Sequence, residues 1–152
     1  IQANINNIQI NEAKEVIPMI DIQYTIETEQ YGNKTGNRLF IPANIFRKGF
    51  TTPDLKQRVQ DIHINYGYLD TDSICLQIPE GYTIESLPKT CQVTSSFGSF
   101  SSSLMIKDKE ICIIHRLLMH RGIYPKEIYK DFLEFRKQIA AQYSSKIILK
   151  KE

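Results

Sequence analysis

Between Met19 and Gln30 the apolar residues Ile20, Ile22, Tyr24 and Ile26 alternate with Asp21, Gln23, Thr25 and Glu27. A period of two marks a strand with one face buried. Tyr31 to Asn37 (YGNKTGN) carries the glycines and asparagines of a turn, and Arg38 to Ile41 reads as its return strand, stopped by Pro42. Residues 43–57 are irregular, broken by Gly49 and Pro53. Val59 to Tyr66 and Asp70 to Ile78 are predicted strands, the second with Ile74, Leu76 and Ile78 on one face. Pro79-Glu80-Gly81 is a turn signal. Lys89 to Ser96 and Ser99 to Lys107 flank a break at Phe97-Gly98, and Asp108-Lys109 is a two-residue hairpin connection into Glu110 to His120. That last strand is apolar on both faces, which makes it central or covered on both sides.

After Gly122 the period changes. Pro125 suits the first turn of a helix, where a missing N–H costs nothing. Ile128, Phe132, Phe135, Ile139 and Tyr143 then follow at spacings of three and four, one apolar stripe on a helix over about 125–143. A short strand, Lys146 to Leu149, closes the chain. About eight consecutive strands with hairpin-like turns and one late helix indicate a mainly β fold, an antiparallel β-sandwich. The helix is expected on one sheet face or over an open end.

Length and charge narrow this only a little. A chain of 152 residues suits one domain with a real core, which we place at 16–152. Residues 1–15 read as a linker or a leading edge strand, their Asn and Gln content favouring the linker. The first residue is Ile1, and the expectation is a piece of a longer chain. A formal charge of +2 gives no reason to expect nucleic acid as a partner, and no run approaches the length of a membrane helix. Residues 121–152 hold 8 basic and 4 acidic residues, which a solvated helix face explains.

Candidate chemistry is sparse. His115 and His120 lie five apart on one predicted strand and so point to opposite faces, while His63 shares a polar face with Asp61 and Asn65. That is no converging ligand set, and surface or hydrogen-bonded histidines are the simpler reading. Cys75, Cys91 and Cys112 lack the helix-opening or cationic setting that activates a thiol. They read as small, partly buried residues, with a Cys91–Cys112 disulfide left open because both lie on neighbouring predicted strands. The serine run 95–103 places Ser102 with Phe100, Leu104 and Ile106, and Ser99, Ser101 and Ser103 on the other, water-facing side. No G-x-S-x-G elbow, P-loop or G-x-G-x-x-G occurs. Neither a cofactor nor a metal is expected.

One set of segments says more. Ile78-Pro79-Glu80-Gly81-Tyr82, Ile84-Glu85 with Leu87-Pro88, Phe97-Gly98-Ser99-Phe100-Ser101, the helix Tyr129 to Phe135 and the end Lys146 to Lys151 follow one another in order. Together they resemble the C-terminal β-domain of a family of secreted bacterial proteins built around a transglutaminase-like core. The resemblance covers roughly 55–152 well and 16–54 loosely. It implies a non-catalytic accessory domain that packs on the catalytic core of the same parent chain, or positions substrate for it. It also implies a periplasmic or secreted location. The family's catalytic residues belong to the preceding domain, so none is carried over and this segment is not expected to be an enzyme. An interdomain surface should expose apolar side chains. Ile45, Phe46 and Phe50 in ANIFRKGF are candidates for it, against a role capping the core. The alternative is a free-standing module binding peptide or glycan, for which Tyr66 and Tyr68 around Gly67 are the candidates.

Overall fold

The computed structural model describes residues 3–14, 19–28, 31–46, 52–55 and 58–152. The chain divides into two compact units, Ile1–Asn33 and Lys34–Glu152.

The first unit is an antiparallel pair, β1 (Ala3–Ala13) and β2 (Met19–Thr28). Residues 3–13, which by composition favour a linker, are therefore a strand. Ile5 pairs with Ile26, Ile10 with Ile22 and Glu12 with Ile20. The register slips between Asn6 and Gln9, where Asn7 takes φ 53°. This bulge has a consequence for the side chains. Ile5 and Ile10 are an odd number apart and would face opposite ways on a regular strand. The extra residue returns both to the face of β2 that carries Ile20, Ile22, Tyr24 and Ile26.

The second unit is built from three sheets and a helix. The central sheet has the order β6 (Tyr68–Gln77), β10 (Glu110–Met119), β9 (Gly98–Lys107), β8 (Cys91–Ser95), all antiparallel. A second sheet has the order β3 (Asn33–Thr35), β4 (Arg38–Pro42), β12 (Lys146–Lys151), β7 (Tyr82–Ser86). Short β5 (Ile62–Ile64) and β11 (Gly122–Tyr124) pair with each other. The fold is thus mainly β, with several antiparallel sheets, one C-terminal helix and a final strand.

The strand count is higher than the sequence pattern predicts, and some partners differ. Twelve strands are found among the described residues rather than about eight. Arg38–Pro42 is no return strand for Met19–Thr28: it pairs with β12, and Asn33–Thr35 pairs with it across Gly36 at φ 61°. Val59 to Tyr66 contracts to Ile62–Ile64, with Val59 left exposed. β7 and β11 are too short to print a period. The Asp108-Lys109 hairpin forms as expected, with Asp108 at φ 54° and Lys107 opposite Glu110. β10 is central, as its two apolar faces require.

Pro125 precedes a short 3-10 turn, Lys126–Ile128, which runs into α1 (Tyr129–Tyr143). The buried face of α1 is Tyr129, Leu133, Phe135, Ile139 and Tyr143, and Ile128 and Phe132 are only partly buried. The stripe is rotated toward Tyr129 and Leu133 because Tyr129 is anchored on two sides. Its hydroxyl donates to the Pro53 carbonyl, and the Arg58 guanidinium lies 4.7 Å over its ring. This face packs in one core with Phe100, Leu117 and Met119 of the central sheet and Phe97 of the turn between β8 and β9. Phe97 is fully buried between the rings of Tyr124 at 4.7 Å and Phe132 at 5.0 Å. The opposite face of the sheet carries Ser99, Ser101, Ser103, Thr71, Ser73 and Arg116. No helix among the described residues is long and apolar enough to cross a membrane.

Candidate functional site

Strand register assembles a row of four polar side chains across the inner face of the central sheet. Asp72 of β6 is opposite His115 of β10, His115 is opposite Ser102 of β9, and Ser102 is opposite Cys91 of β8. Acid, imidazole, hydroxyl and thiol in this order are the residue types of nucleophilic catalysis. Their geometry is not. His115 is 1% exposed and Ser102 4%, beneath the aromatic rings of the core. The imidazole stacks edge-on against Tyr143 at 5.2 Å and tilts over Phe100 at 5.7 Å. Neither of its nitrogens has a hydrogen-bond partner, so no nucleophile is coupled to a base. The expectation of surface or hydrogen-bonded histidines is thus corrected for His115, because the helix closes over the sheet at that row. His63 and His120 are exposed.

Electrostatics point the same way. Burial lowers the His115 pKa, partly offset by the Asp72 charge. Burial also pushes the Cys91 thiol up, against a smaller lowering from the Ser102 backbone. Both shifts favour the neutral form, and Ser102 stands between the two groups. Asp72 is held from outside the row: the Asn44 side-chain amide donates to it at 3.3 Å, and Asn44 in turn accepts the Phe46 N–H at 2.9 Å.

This row makes stability fall in mild acid. The pKa of His115 lies lower in the folded chain than its ordinary value of about 6.5. The unfolded chain therefore binds the proton first as pH falls. Stability contributed by the neutral imidazole is complete above that value and is lost below it. Denaturant midpoints measured from pH 8 down to 5 should drop for the wild type. The drop should be shallower for His115→Phe, which keeps the ring packing. An equal slope in both proteins would place the acid sensitivity elsewhere.

The cysteines pair differently from the Cys91–Cys112 bridge left open above. Cys75 of β6 and Cys112 of β10 are directly opposite, 4.1 Å apart at Cα, and form the disulfide. Cys91 faces the core and is free. Both bridged residues lie on the outer face of the sheet, Cys75 exposed and Cys112 half-buried. Glu110 approaches the Cys112 sulfur at 3.6 Å, its other oxygen taking the Gln77 amide at 3.0 Å. Cys75, Glu110 and Cys112 bring possible metal donors within 4.8 Å of one another, but the sulfurs are bonded to each other.

The surface residues singled out by sequence fall into three groups. Phe46 is 60% exposed and Tyr66 81%, both free of ring contacts among the described residues. Ile45 is half-buried, and Tyr68 is hydrogen-bonded to Arg136 of α1, which gives it a structural role. Phe50 lies outside the described residues. Gly67 sets the Tyr66–Tyr68 segment close to the end of β10, where a Cβ would stand 3.1 Å from the Met119 carbonyl oxygen. Sequence reasoning overlooked the exposure of Leu69, Leu118 and Ile123 near this end of the sheet. They show no periodic signal apart from ordinary core positions.

A model for a domain of unknown function, DUF3858, a family with a solved structure, matches residues 37–149, and the chain belongs to that family. Neither curated proteins nor solved structures give a match.

Proposed function

We propose that this is a non-catalytic accessory domain of an extracytoplasmic protein. It packs on a transglutaminase-like core of the same parent chain, or positions substrate for that core. The row on the inner face of the central sheet is the observation that carries the non-catalytic part: His115 and Ser102 are buried in the core, and neither imidazole nitrogen meets a nucleophile. The surface disulfide supports an oxidising compartment, periplasmic or secreted, since such bonds are rare where thiols are kept reduced. The partner rests on the resemblance of the segments from Ile78 to Lys151. Phe46 and Tyr66 supply apolar contact area for it.

The test is in two parts. The purified chain should neither hydrolyse nor transamidate peptide substrates, and turnover lost on Cys91→Ala or His115→Ala would reverse the reading. Titrated against the separately purified core of its parent protein, the chain should bind. Tyr66→Asp or Phe46→Asp should weaken that binding about tenfold or more. Absence of binding would remove the accessory role.

A second reading, a module binding glycan, is favoured by the outer face of the central sheet. There Thr71, Arg116, Ser101 and Gln92 form one continuous row of hydrogen-bonding groups. A change in tyrosine fluorescence or amide shifts on adding oligosaccharide, lost in Arg116→Ala, would move the assignment to that face.

A further inference from the structure

Within the first unit, the described residues leave the apolar face of the β1–β2 pair open. Ile5, Ile8, Ile10, Ile20, Ile22 and Tyr24 are 57%, 60%, 65%, 64%, 53% and 48% exposed. The alternation in β2 predicts a half-buried strand, and the structure leaves that face open. The bulge at Asn7 shows that the one-sided pattern is built in: without it, Ile5 would turn to the side of Asn11 and Gln23. A two-stranded sheet by itself is marginal in water, so a hairpin of this length depends on something that covers it.

We infer that two copies of this chain pair face to face through this surface. The strip is self-complementary. Its six exposed side chains are uncharged, and Glu12, which shares the face near the end of β1, has Lys14 at 3.8 Å. Two such faces therefore meet without like charges opposed along their length, and nothing in them calls for a partner of a particular charge. The area also fits. The exposed side chains present on the order of 600 Å² per copy, and so about 1,200 Å² for the pair, within the range of specific interfaces. Stacked about 10 Å apart, two hairpins make a four-stranded sandwich with its apolar residues inside. The contact is isologous and closes at two copies. Its residues belong to the first unit and Phe46 and Tyr66 to the second, so it adds pairing of parent chains to the docking proposed above.

Sedimentation equilibrium of the 152-residue chain, from roughly 1 to 100 µM, tests this directly. A monomer–dimer equilibrium is expected. Ile22→Asp should weaken it about 100-fold or more, because a charge is buried without a partner. Gln23→Asp, one residue along on the polar face, should leave it unchanged. A wild-type chain that stays monomeric throughout overturns the inference. So does mass that grows past the dimer with concentration, or equal disruption by both variants. The wild-type dilution series decides the matter even if Ile22→Asp does not fold.

Discussion

Replacing Gly98 with alanine is expected to cost about 3–5 kcal/mol of folding stability, the sum of a strained backbone and an overpacked contact. Gly98 opens β9 at φ 147°, a conformation that residues with a side chain rarely adopt. A Cβ there would stand 1.9 Å from the Leu118 carbonyl oxygen and 2.9 Å from its carbon. Both are backbone atoms of the neighbouring central strand, so no side chain can swing aside. The same turn seats Phe97 in the core, with its carbonyl accepting the His120 N–H at 2.8 Å. Shifting β9 away from β10 would disturb both. Gly36 is the control. Its φ is 61°, but nothing lies within 4 Å of its Cβ position, so Gly36→Ala should cost only about 1 kcal/mol. Urea unfolding followed by circular dichroism measures both. Equal midpoints for the two variants would mean that close approach at Leu118 plays no part.

How far the sequence reveals this molecule depends on how locally each feature is encoded. The hairpin at Asp108-Lys109 is local, and its two-residue turn pairs Lys107 with Glu110. Counting back along both strands from there sets Ser102 opposite His115, so the buried half of the row is readable from that turn alone. Cys91 follows in the same way from the turn at Ser96-Phe97, which pairs Ser95 with Gly98, whereas Asp72 joins through a strand whose pairing no short turn specifies. The helix stripe is legible from period, but its final rotation is set by Pro53 and Arg58, far away in the chain. β7 and β11 span only five and three residues, too few for a period to show. In the hairpin of the first unit, alternation in β2 marks the apolar face correctly. The pattern in β1 is broken by the bulge at Asn7, which makes a strand look like a linker. Alternation shows which face is apolar; it does not show what covers it. For that reason the exposed apolar face of the β1–β2 pair is absent from the sequence-based candidates.

Removing the Cys75–Cys112 bridge, by reduction or in a Cys75→Ser/Cys112→Ser double variant, should destabilise the chain by about 3–4 kcal/mol. The two residues are 37 apart in sequence, and a cross-link over that span restricts the unfolded chain far more than the folded one. In the folded chain the same residues are already opposite each other in the antiparallel ladder between β6 and β10. The sheet should therefore keep its register without the bond, and the loss should appear as a lower midpoint with native-like circular dichroism before unfolding. For a chain of this length the shift in Tm is on the order of 10 °C. Thiol counting in denaturant fixes the pairing independently. One thiol, Cys91, should react before reduction and three after it, and a Cys91→Ser variant should retain the full effect of reduction. If Cys91→Ser abolished that effect, the bridge would involve Cys91. If the midpoint did not move although all three thiols had become reactive, the bond would contribute nothing to the fold. The bridge would then have to be explained by something other than stability.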